Sequence, residues 1–594
     1  MMISTSYRYP LQSLALASLL SCGHVQPTHA ADNNPLTFSA IQPNTLPPLP
    51  PASGKHGMAV SAHVLASRVG AEILDKGGNA ADAAVAMGYA LAVVYPAAGN
   101  LGGGGFTILR PPGKKGVFID FREKAPLAAT ENMYLDAKGY PLPNLARLGW
   151  KAVAVPGTVA GLEEIHRLWG RLPRKVVMEP AIKLADEGFI LCQRDADLLA
   201  TSTAAFRKDP YARAIFLRPD GLPLRAGDRL IQKDLANTLN LIAQKGAAAF
   251  YRGPIAKIIV NTSREHGGIL QMADFERYKT RILPPLTCHY RGFTVETAPP
   301  PSAGGVALCE MLGILSGYDM HSLGLHTAPA LHYQIEAMRH AYSDRRNLGD
   351  PDFVKNPVAH LLDPAYLAAI RASIPPKKAI PSRDLLMGEP SPEKPQTTQF
   401  SVIDRDGFAI STTYTLNGWF GAKVIGGKTG IIMNDEMDDF SIKPGTPNMF
   451  GIPGSLANAI APGKTPLSSM TPTILSRDGK PVLIIGSPGG SRIPTIVLSV
   501  VLGVVDYGLD IQQAIDLPRI HEQWMPDTVE VEAGAITPET QHILEQEGYH
   551  FVHHAPWGIP EGILVGGPKL GVPGSSLYYG GYDRRHTGGG AVGE

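Results

Sequence analysis

The chain lacks most of what would tie it to a nucleic acid, a bilayer or a metal. It holds 54 Lys and Arg against 53 Asp and Glu, a formal net charge of +1. That balance leaves no basic excess for nucleic acid and no cationic run for a membrane surface. The apolar stretches at residues 11–20 and 493–505 are too short to span a hydrocarbon core. No Gly-rich segment carries the Lys-Ser/Thr of a phosphate loop, and Ser487 is not in a G-x-S-x-G elbow. Cysteine is scarce, with four residues, Cys22, Cys192, Cys288 and Cys309, none at metal-ligand spacing. The last three are read mainly as buried thiols, with a Cys288–Cys309 disulfide as the lesser alternative. His332, Glu336 and His340 lie one turn apart on a helix face. Their spacing is not H-E-x-x-H, so packing and i,i+4 contacts are preferred to a metal.

What is present fits a soluble enzyme. Hydrophobic residues make up 44% and charged residues 18% of 594 residues, too long a chain for one ordinary core, so two large lobes or merged halves are expected. Gly (64) and Pro (52) are abundant, as in a fold of tight turns and close backbone approaches. The first thirty residues read as an export signal: Arg8, a short apolar core at 11–20, and Thr28-His29-Ala30 before the cut. Release to the periplasm or medium is preferred to lipid anchoring at Cys22. Residues 31–53 read as a flexible leader.

Residues 61–95 read as two helices, with Ser61 capping the first, Gly77-Gly78 ending it and Asn79 capping the second. The second, from Ala80, is apolar nearly all round and so belongs at the centre. Strands fit 106–109, 117–121 and 291–297, and helices fit 157–172, 178–187, 230–245, 305–315, 330–345 and 493–505. Residues 375–396 are polar and Pro-rich, read as an exposed mobile linker. The texture then changes: residues 398–404 alternate as a strand, Asp406-Gly407 makes a hairpin turn, and 408–416 return. A second hairpin fits 473–476 and 482–486 around Asp478-Gly479. A long linker feeding directly into a buried strand is the layout expected when the linker is cut and its new end is put to work.

Thr397 is the residue at that end. A threonine hydroxyl is a weak nucleophile without a base. As a first residue it would carry its own α-amine, which titrates near pH ~8. Gly486 to Arg492 follows a strand and precedes a helix, where adjacent glycines let backbone N–H groups converge on an oxyanion. Arg122, Thr415, Asn417, Glu436, Asp438, Asp439, Ser468 and Ser469 lie at strand ends and could hold an amino-acid head group: cation and hydroxyls for its carboxylate, carboxylates for its ammonium.

These segments together resemble the γ-glutamyltranspeptidases, which are N-terminal-nucleophile hydrolases. The matching stretches include Asn100-Leu101-Gly102-Gly103-Gly104-Gly105, Asp120-Phe121-Arg122-Glu123, Pro299 to Gly305, Gly349-Asp350-Pro351, Thr397-Thr398, Tyr414 to Asn417, Met437-Asp438-Asp439-Phe440, Pro466 to Met470 and Gly486 to Arg492. They run in the family's order from about Gly54 to the C-terminus. The resemblance implies an α+β fold, a four-layer αββα sandwich. It implies a precursor cut between Gln396 and Thr397 into a large subunit (54–396) and a small catalytic subunit (397–594) that stay together as a heterodimer. It implies Thr397 as nucleophile assisted by Thr415, and Gly489 and Gly490 as the oxyanion hole. Arg122, Ser468 and Ser469 would hold the α-carboxylate of a γ-glutamyl donor such as glutathione, and Asn417, Glu436 and Asp439 its α-ammonium, with no metal or organic cofactor. Water, amino acids and peptides would be the acceptors. Three positions depart from the family's pattern: many bacterial relatives have His where Gln399 stands, some have Tyr where Phe450 stands in the lid-like segment 444–455, and some have Gln where Glu436 stands, next to Asp435 where some have Asn. The competing expectations are a glutaryl-cephalosporin or poly-γ-glutamate acylase, and an exported binding protein that has lost turnover.

Overall fold

The computed structural model describes residues 46–385 and 397–594. The expected signal segment, Cys22, most of the leader and residues 386–396 with Gln396 lie outside the described residues. No helix among the described residues is long and apolar enough to cross a membrane.

Two seven-stranded sheets lie face to face. One runs Gly590–Gly593, Met58–Ser61, Thr398–Ile403, Ala409–Thr415, Gly104–Arg110, Val117–Asp120, Arg281–Leu283. The other runs Ala52–Gly54, Tyr578–Tyr582, Glu561–Val565, Lys480–Gly486, Thr473–Arg477, Phe293–Thr297, Leu286–Tyr290. Period-two alternation sorts each strand between the layers. Along Thr398–Ile403, Phe400 and Val402 join a core with helices Val64–Asp75, Ala80–Val94 and Thr158–Trp169. Gln399 and Ser401 point the other way, toward the second sheet: Ser401 Oγ donates to the Glu561 carbonyl at 3.0 Å. On the far side, Gly304–Leu315, Ala328–Asp344 and Ile493–Val505 pack on the second sheet. The result is the four-layer αββα sandwich, with sheets inside and helices outside.

Local chemistry accounts for the elements nearest the site. Helix Ala80–Val94 is wholly buried and opens on a capping box in which Asn79 accepts from Ala81 and Asp82 N–H while Asp82 accepts from Asn79 N–H. The preceding helix, Val64–Asp75, is capped by His63 and not by Ser61. Ser61 is instead the last residue of a strand, its Oγ 2.7 Å from Ser67 Oγ. A β-strand residue cannot also take the cap position two residues on. The glycine run at 102–105 serves close approach: a Cβ on Gly103 would stand 1.9 Å from the Thr415 carbonyl, which Asn100 Nδ2 also reaches at 2.9 Å. The apolar run Ile493–Val505 is a helix with all but Ser499 and Val505 buried.

Two expectations change. Cys288 and Cys309 form a disulfide, with Cα atoms 5.9 Å apart, joining strand Leu286–Tyr290 to helix Gly304–Leu315; among the described residues, Cys192 is the free thiol. The first half of the segment read as an exposed linker is docked. The Ala379 N–H donates to the Glu547 carbonyl at 2.8 Å, Ile380 N–H to Glu336 Oε1 at 3.2 Å and Ser382 N–H to Asp527 Oδ2 at 2.9 Å. His332 Nε2 lies 2.8 Å from the Pro375 carbonyl, and Tyr549 donates to Glu336 Oε1 at 2.7 Å. His332 and Glu336 therefore act as a seat for residues 375–380. Polar composition hid this, because the segment is held by bonds from its backbone to Glu336, Asp527 and Glu547 and by single apolar residues, Ala379 and Ile380, seated against the second core.

Closing a loop of 21 residues, the disulfide is expected to contribute about 3 kcal/mol. Cys288→Ser/Cys309→Ser should lower the thermal unfolding midpoint and leave turnover of the folded enzyme unchanged. An unshifted midpoint, compared with and without reductant, would show that the bond contributes nothing.

Candidate active site

Thr397 leads into the strand Thr398–Ile403, which is hydrogen-bonded on both sides, to Met58–Ser61 and to Ala409–Thr415. The register pairs Thr398 with Tyr414, which brings the last residue of the return strand beside Thr397: the Oγ1 atoms of Thr397 and Thr415 are 3.2 Å apart. Thr415 Oγ1 also accepts the Asn417 N–H at 2.9 Å. Thr397 is 4% exposed, and its φ is +128°, a region costly for a β-branched residue, of order 1–3 kcal/mol.

Strand Lys480–Gly486 delivers the glycine turn. Gly489 has φ +150° and Gly490 φ +58°, and a 3-10 turn, Gly490–Arg492, runs into the helix Ile493–Val505. The first N–H groups of such a helical start have no partner within it. A Cβ on Gly490 would meet the Phe450 ring at 2.5 Å, so Phe450 lies directly over this turn. It covers apolar surface there and offers no hydroxyl. Gln399 is not in the cavity. It is buried in the seam between the sheets, where its Oε1 accepts from Thr413 Oγ1 at 2.6 Å and its Nε2 donates to Ser411 Oγ at 3.1 Å.

One cavity is lined by Thr397, Thr415, Gly490, Arg122, Asn417, Glu436, Asp439, Ser468 and Ser469. Of the residues picked from sequence for catalysis and binding, Gly489 is the one outside its lining. Asp438, the remaining strand-end carboxylate, is also outside it. It accepts from Arg147 Nε and from the Met449 N–H, both at 2.8 Å, and so props the lid segment. Sequence reasoning gave no role to Arg345 and Asn448, which also line the cavity. Asn448 Oδ1 accepts from Phe450 N–H at 2.9 Å and Ile452 N–H at 3.2 Å, closing the lid turn on itself. Arg345 sits one residue past the helix Ala328–Asp344 and reaches Ser469 Oγ at 2.9 Å. Its signal in sequence was weak: a basic residue at a helix C-terminus usually means no more than a favourable dipole contact.

The charge arrangement is the site's main feature. Arg122 is 1% exposed. Its guanidinium pairs with Glu436 Oε1 and, at 2.5 Å, with Asp439 Oδ2; Glu123 Oε2 lies 3.6 Å away. Burial alone would lower the arginine pKa, but Glu436, Asp439 and Glu123 outweigh it and hold it above its usual range. Burial pushes Glu123 up to about 7 against the pull of Arg122. It pushes Glu436 well above the usual carboxylate range, again opposed by Arg122. Asp439 is raised by burial in the same way. Neighbouring Asp435 is pushed up to about 7 by burial, opposed by Lys423 and the Gly418 N–H. Carboxyls thus outnumber the guanidinium they surround, and part of them hold protons near neutral pH.

The two serines complete that end. Ser468 Oγ accepts from Met470 N–H at 3.1 Å, and Ser469 Oγ accepts from Arg345 Nη2 at 2.9 Å. With an oxygen already accepting, each hydroxyl keeps its one proton to donate. The serine loop is pinned to the Pro-rich turn before Gly304–Leu315: the Ala303 N–H donates to the Ser468 carbonyl at 2.8 Å, and Ser302 Oγ to the Met470 carbonyl at 2.7 Å. Asn417, in the left-handed region at φ +72°, donates Nδ2 to the Asp435 carbonyl at 3.1 Å. Asn tolerates that conformation better than most residues.

Among known proteins, the chain is 53% identical over 542 residues to a glutathione hydrolase proenzyme of Pseudomonas sp. (strain A14), covering 91% of this chain and 94% of the relative. It is 43% identical over 559 residues to the glutathione hydrolase proenzyme of Escherichia coli (strain K12), covering 94% of this chain and 95% of the relative. The crystal structure of a cephalosporin acylase from Bacillus halodurans superposes with a TM-score of 0.80 at 28% identity, covering 92% of this chain and 98% of that one. The profile of the gamma-glutamyltranspeptidases matches residues 66–593, and on that span the chain belongs to the γ-glutamyltranspeptidase family.

Proposed function

We propose that the protein is a γ-glutamyltransferase and glutathione hydrolase, exported, and made as one chain that cuts itself between Gln396 and Thr397. What carries this reading is a single cavity with a threonine hydroxyl and a glycine turn at one end and a buried cation, carboxyls and two donating serines at the other. A γ-glutamyl group has the matching layout: an amide carbonyl at one end, a zwitterionic α-carbon at the other.

In maturation, the Thr397 hydroxyl attacks the Gln396 carbonyl carbon. The peptide nitrogen leaves as the Thr397 amine, and water hydrolyses the resulting ester to free the Gln396 carboxylate and restore the hydroxyl. The positive φ of Thr397 supports this order, since a free amine no longer fixes that torsion. The subunits, 54–396 and 397–594, remain interleaved as a heterodimer. Strand Thr398–Ile403 of the small one pairs with Met58–Ser61 of the large, and Ala409–Thr415 pairs with Gly104–Arg110.

In turnover, the α-amine takes the Thr397 hydroxyl proton as the oxygen attacks the donor's γ-carbonyl, and Thr415 steadies that oxygen. The N–H groups at Gly489 and Gly490 receive the developing oxyanion, each worth about two to three powers of ten in rate. The C–N bond breaks, the leaving amine takes the proton, and an ester on Thr397 remains. Water then gives hydrolysis; an amino acid or peptide gives transfer. Arg122, Ser468 and Ser469 hold the α-carboxylate, and Asn417, Glu436 and Asp439 hold the α-ammonium.

Thr397→Ala is expected to abolish both self-cleavage and turnover. Two subunits on a denaturing gel of that variant would refute the assignment. γ-Glutamyl-anilide should exceed glutaryl-anilide, which lacks the ammonium, by roughly 100-fold or more in kcat/KM. Equal rates would favour an acylase. Arg122→Ala should raise KM for glutathione more than it lowers kcat; an unchanged KM would remove Arg122 from the carboxylate site.

A further inference from the structure

The small subunit supplies the nucleophile, the glycine turn and the serine loop, yet the end of the large subunit's helix Ala328–Asp344 reaches two of these. Tyr342, on its last turn, donates its hydroxyl to the Ser491 carbonyl, in the 3-10 turn Gly490–Arg492. Arg345, one residue past the helix end, donates Nη2 to Ser469 Oγ at 2.9 Å. The guanidinium carbon of Arg345 sits 5.4 Å from the centre of the Tyr342 ring. Tyr342 is 2% exposed and Arg345 4%.

We infer that Tyr342 and Arg345 are positioning residues, one for the oxyanion turn and one for the carboxylate-binding serine, so that a single helix end of the large subunit sets the two ends of the donor cavity. This rests on the γ-glutamyl reading of the site. The argument is one of hydrogen-bond capacity. A 3-10 turn of three residues has few internal bonds. The Arg492 N–H donates to the Gly489 carbonyl, which shares a peptide with the Gly490 N–H, at 3.1 Å, and the Tyr342 hydroxyl holds the other end of that same Ser491–Arg492 peptide. Losing that bond lets the Gly490 N–H rock away from the place the oxyanion takes. Ser469 has one proton and can send it anywhere its χ1 allows. A guanidinium donating into its oxygen turns that proton away from Arg345, to the part of the cavity that Ser469 lines beside Ser468. The two contacts act on different steps: the first on the transition state, the second on binding of a carboxylate present throughout.

The test uses the full mature enzyme and two donors, γ-glutamyl-p-nitroanilide and 4-aminobutyryl-p-nitroanilide, which lacks only the α-carboxylate. Rates are taken per matured site, counted by the acyl-enzyme burst. Tyr342→Phe should lower kcat roughly 10-fold on both donors with KM for the γ-glutamyl donor within about twofold. Arg345→Gln should raise KM for the γ-glutamyl donor roughly 10-fold and change the 4-aminobutyryl donor by less than about twofold. Arg345→Lys should recover part of the loss. In a Ser469→Ala background Arg345→Gln should have little further effect. An equal effect of Arg345→Gln on both donors, additivity with Ser469→Ala, or an unchanged kcat in Tyr342→Phe would overturn the inference. A Tyr342→Phe chain that never cuts itself also counts against it, because loss of one outer bond should slow the chemistry and not abolish it. If Arg345→Gln does not mature, Arg345→Lys and Ser469→Ala, alone and combined, read the same contact by the same criteria. A wild-type enzyme that turns over the two donors equally would instead defeat the γ-glutamyl reading itself.

Discussion

The ladder of hydrogen bonds on both sides of Thr398–Ile403 is what the rest of the molecule depends on. An N-terminal nucleophile has to be held to within fractions of an ångström of its partners, and a free chain end is the worst place to hold anything. Placing the strand inside the sheet, between Met58–Ser61 and Ala409–Thr415, solves this. The ladder starts at residue 398, so a break before Thr397 removes none of these bonds. The same register puts Thr415 beside Thr397. The approach of Gly103 to the Thr415 carbonyl then ties the glycine run at 102–105 to the position of Thr397.

Burial does the second piece of work. Arg122, Glu123, Glu436 and Asp439 sit together with almost no solvent, where unbalanced charge is costly. More carboxyls than guanidinium groups can be tolerated only if some keep protons, which is the direction in which burial moves Glu123 and Glu436. Such a cluster can accept an arriving ammonium by giving up a proton, so that the net charge of the buried site changes little on binding.

Much of this was legible in sequence because it is carried by short-range pattern. Alternation gave the strands around 398 and 408–416, the all-apolar run gave the central helix Ala80–Val94, and Asn79 announced its cap. Ordered motifs then gave every cavity residue that family resemblance could name. What escaped was set by long-range contact. Ser61 looked like a cap but is needed by a strand. Cys288 and Cys309 are brought together by helix packing that spacing does not encode. Residues 375–385 look mobile by composition and are held by Glu336, Asp527 and Glu547 from distant parts of the chain. Arg345 is one basic residue among many until its distance to Ser469 is seen. Gln399 was noted as a departure, but only the structure shows that its amide fills the seam between the sheets, against Ser411 and Thr413, and does not reach the cavity.

The fold itself does not choose the substrate. A cephalosporin acylase shares it with a TM-score of 0.80 over 92% of this chain, so one fold is common to proteins whose names differ in what they cut. The choice has to come from the end of the cavity remote from Thr397. A glutaryl group would bring one negative charge and no positive one to that end. Here it would bring a second carboxylate to an Arg122 already engaged by Glu436 and Asp439, with no ammonium of its own to offset them. A γ-glutamyl group brings both charges on one carbon, each with partners of the opposite sign at hand. On the proposed reading, the carboxyls around Arg122 act as a filter as much as a grip: they favour the ammonium, and they penalise the close analogue that lacks it.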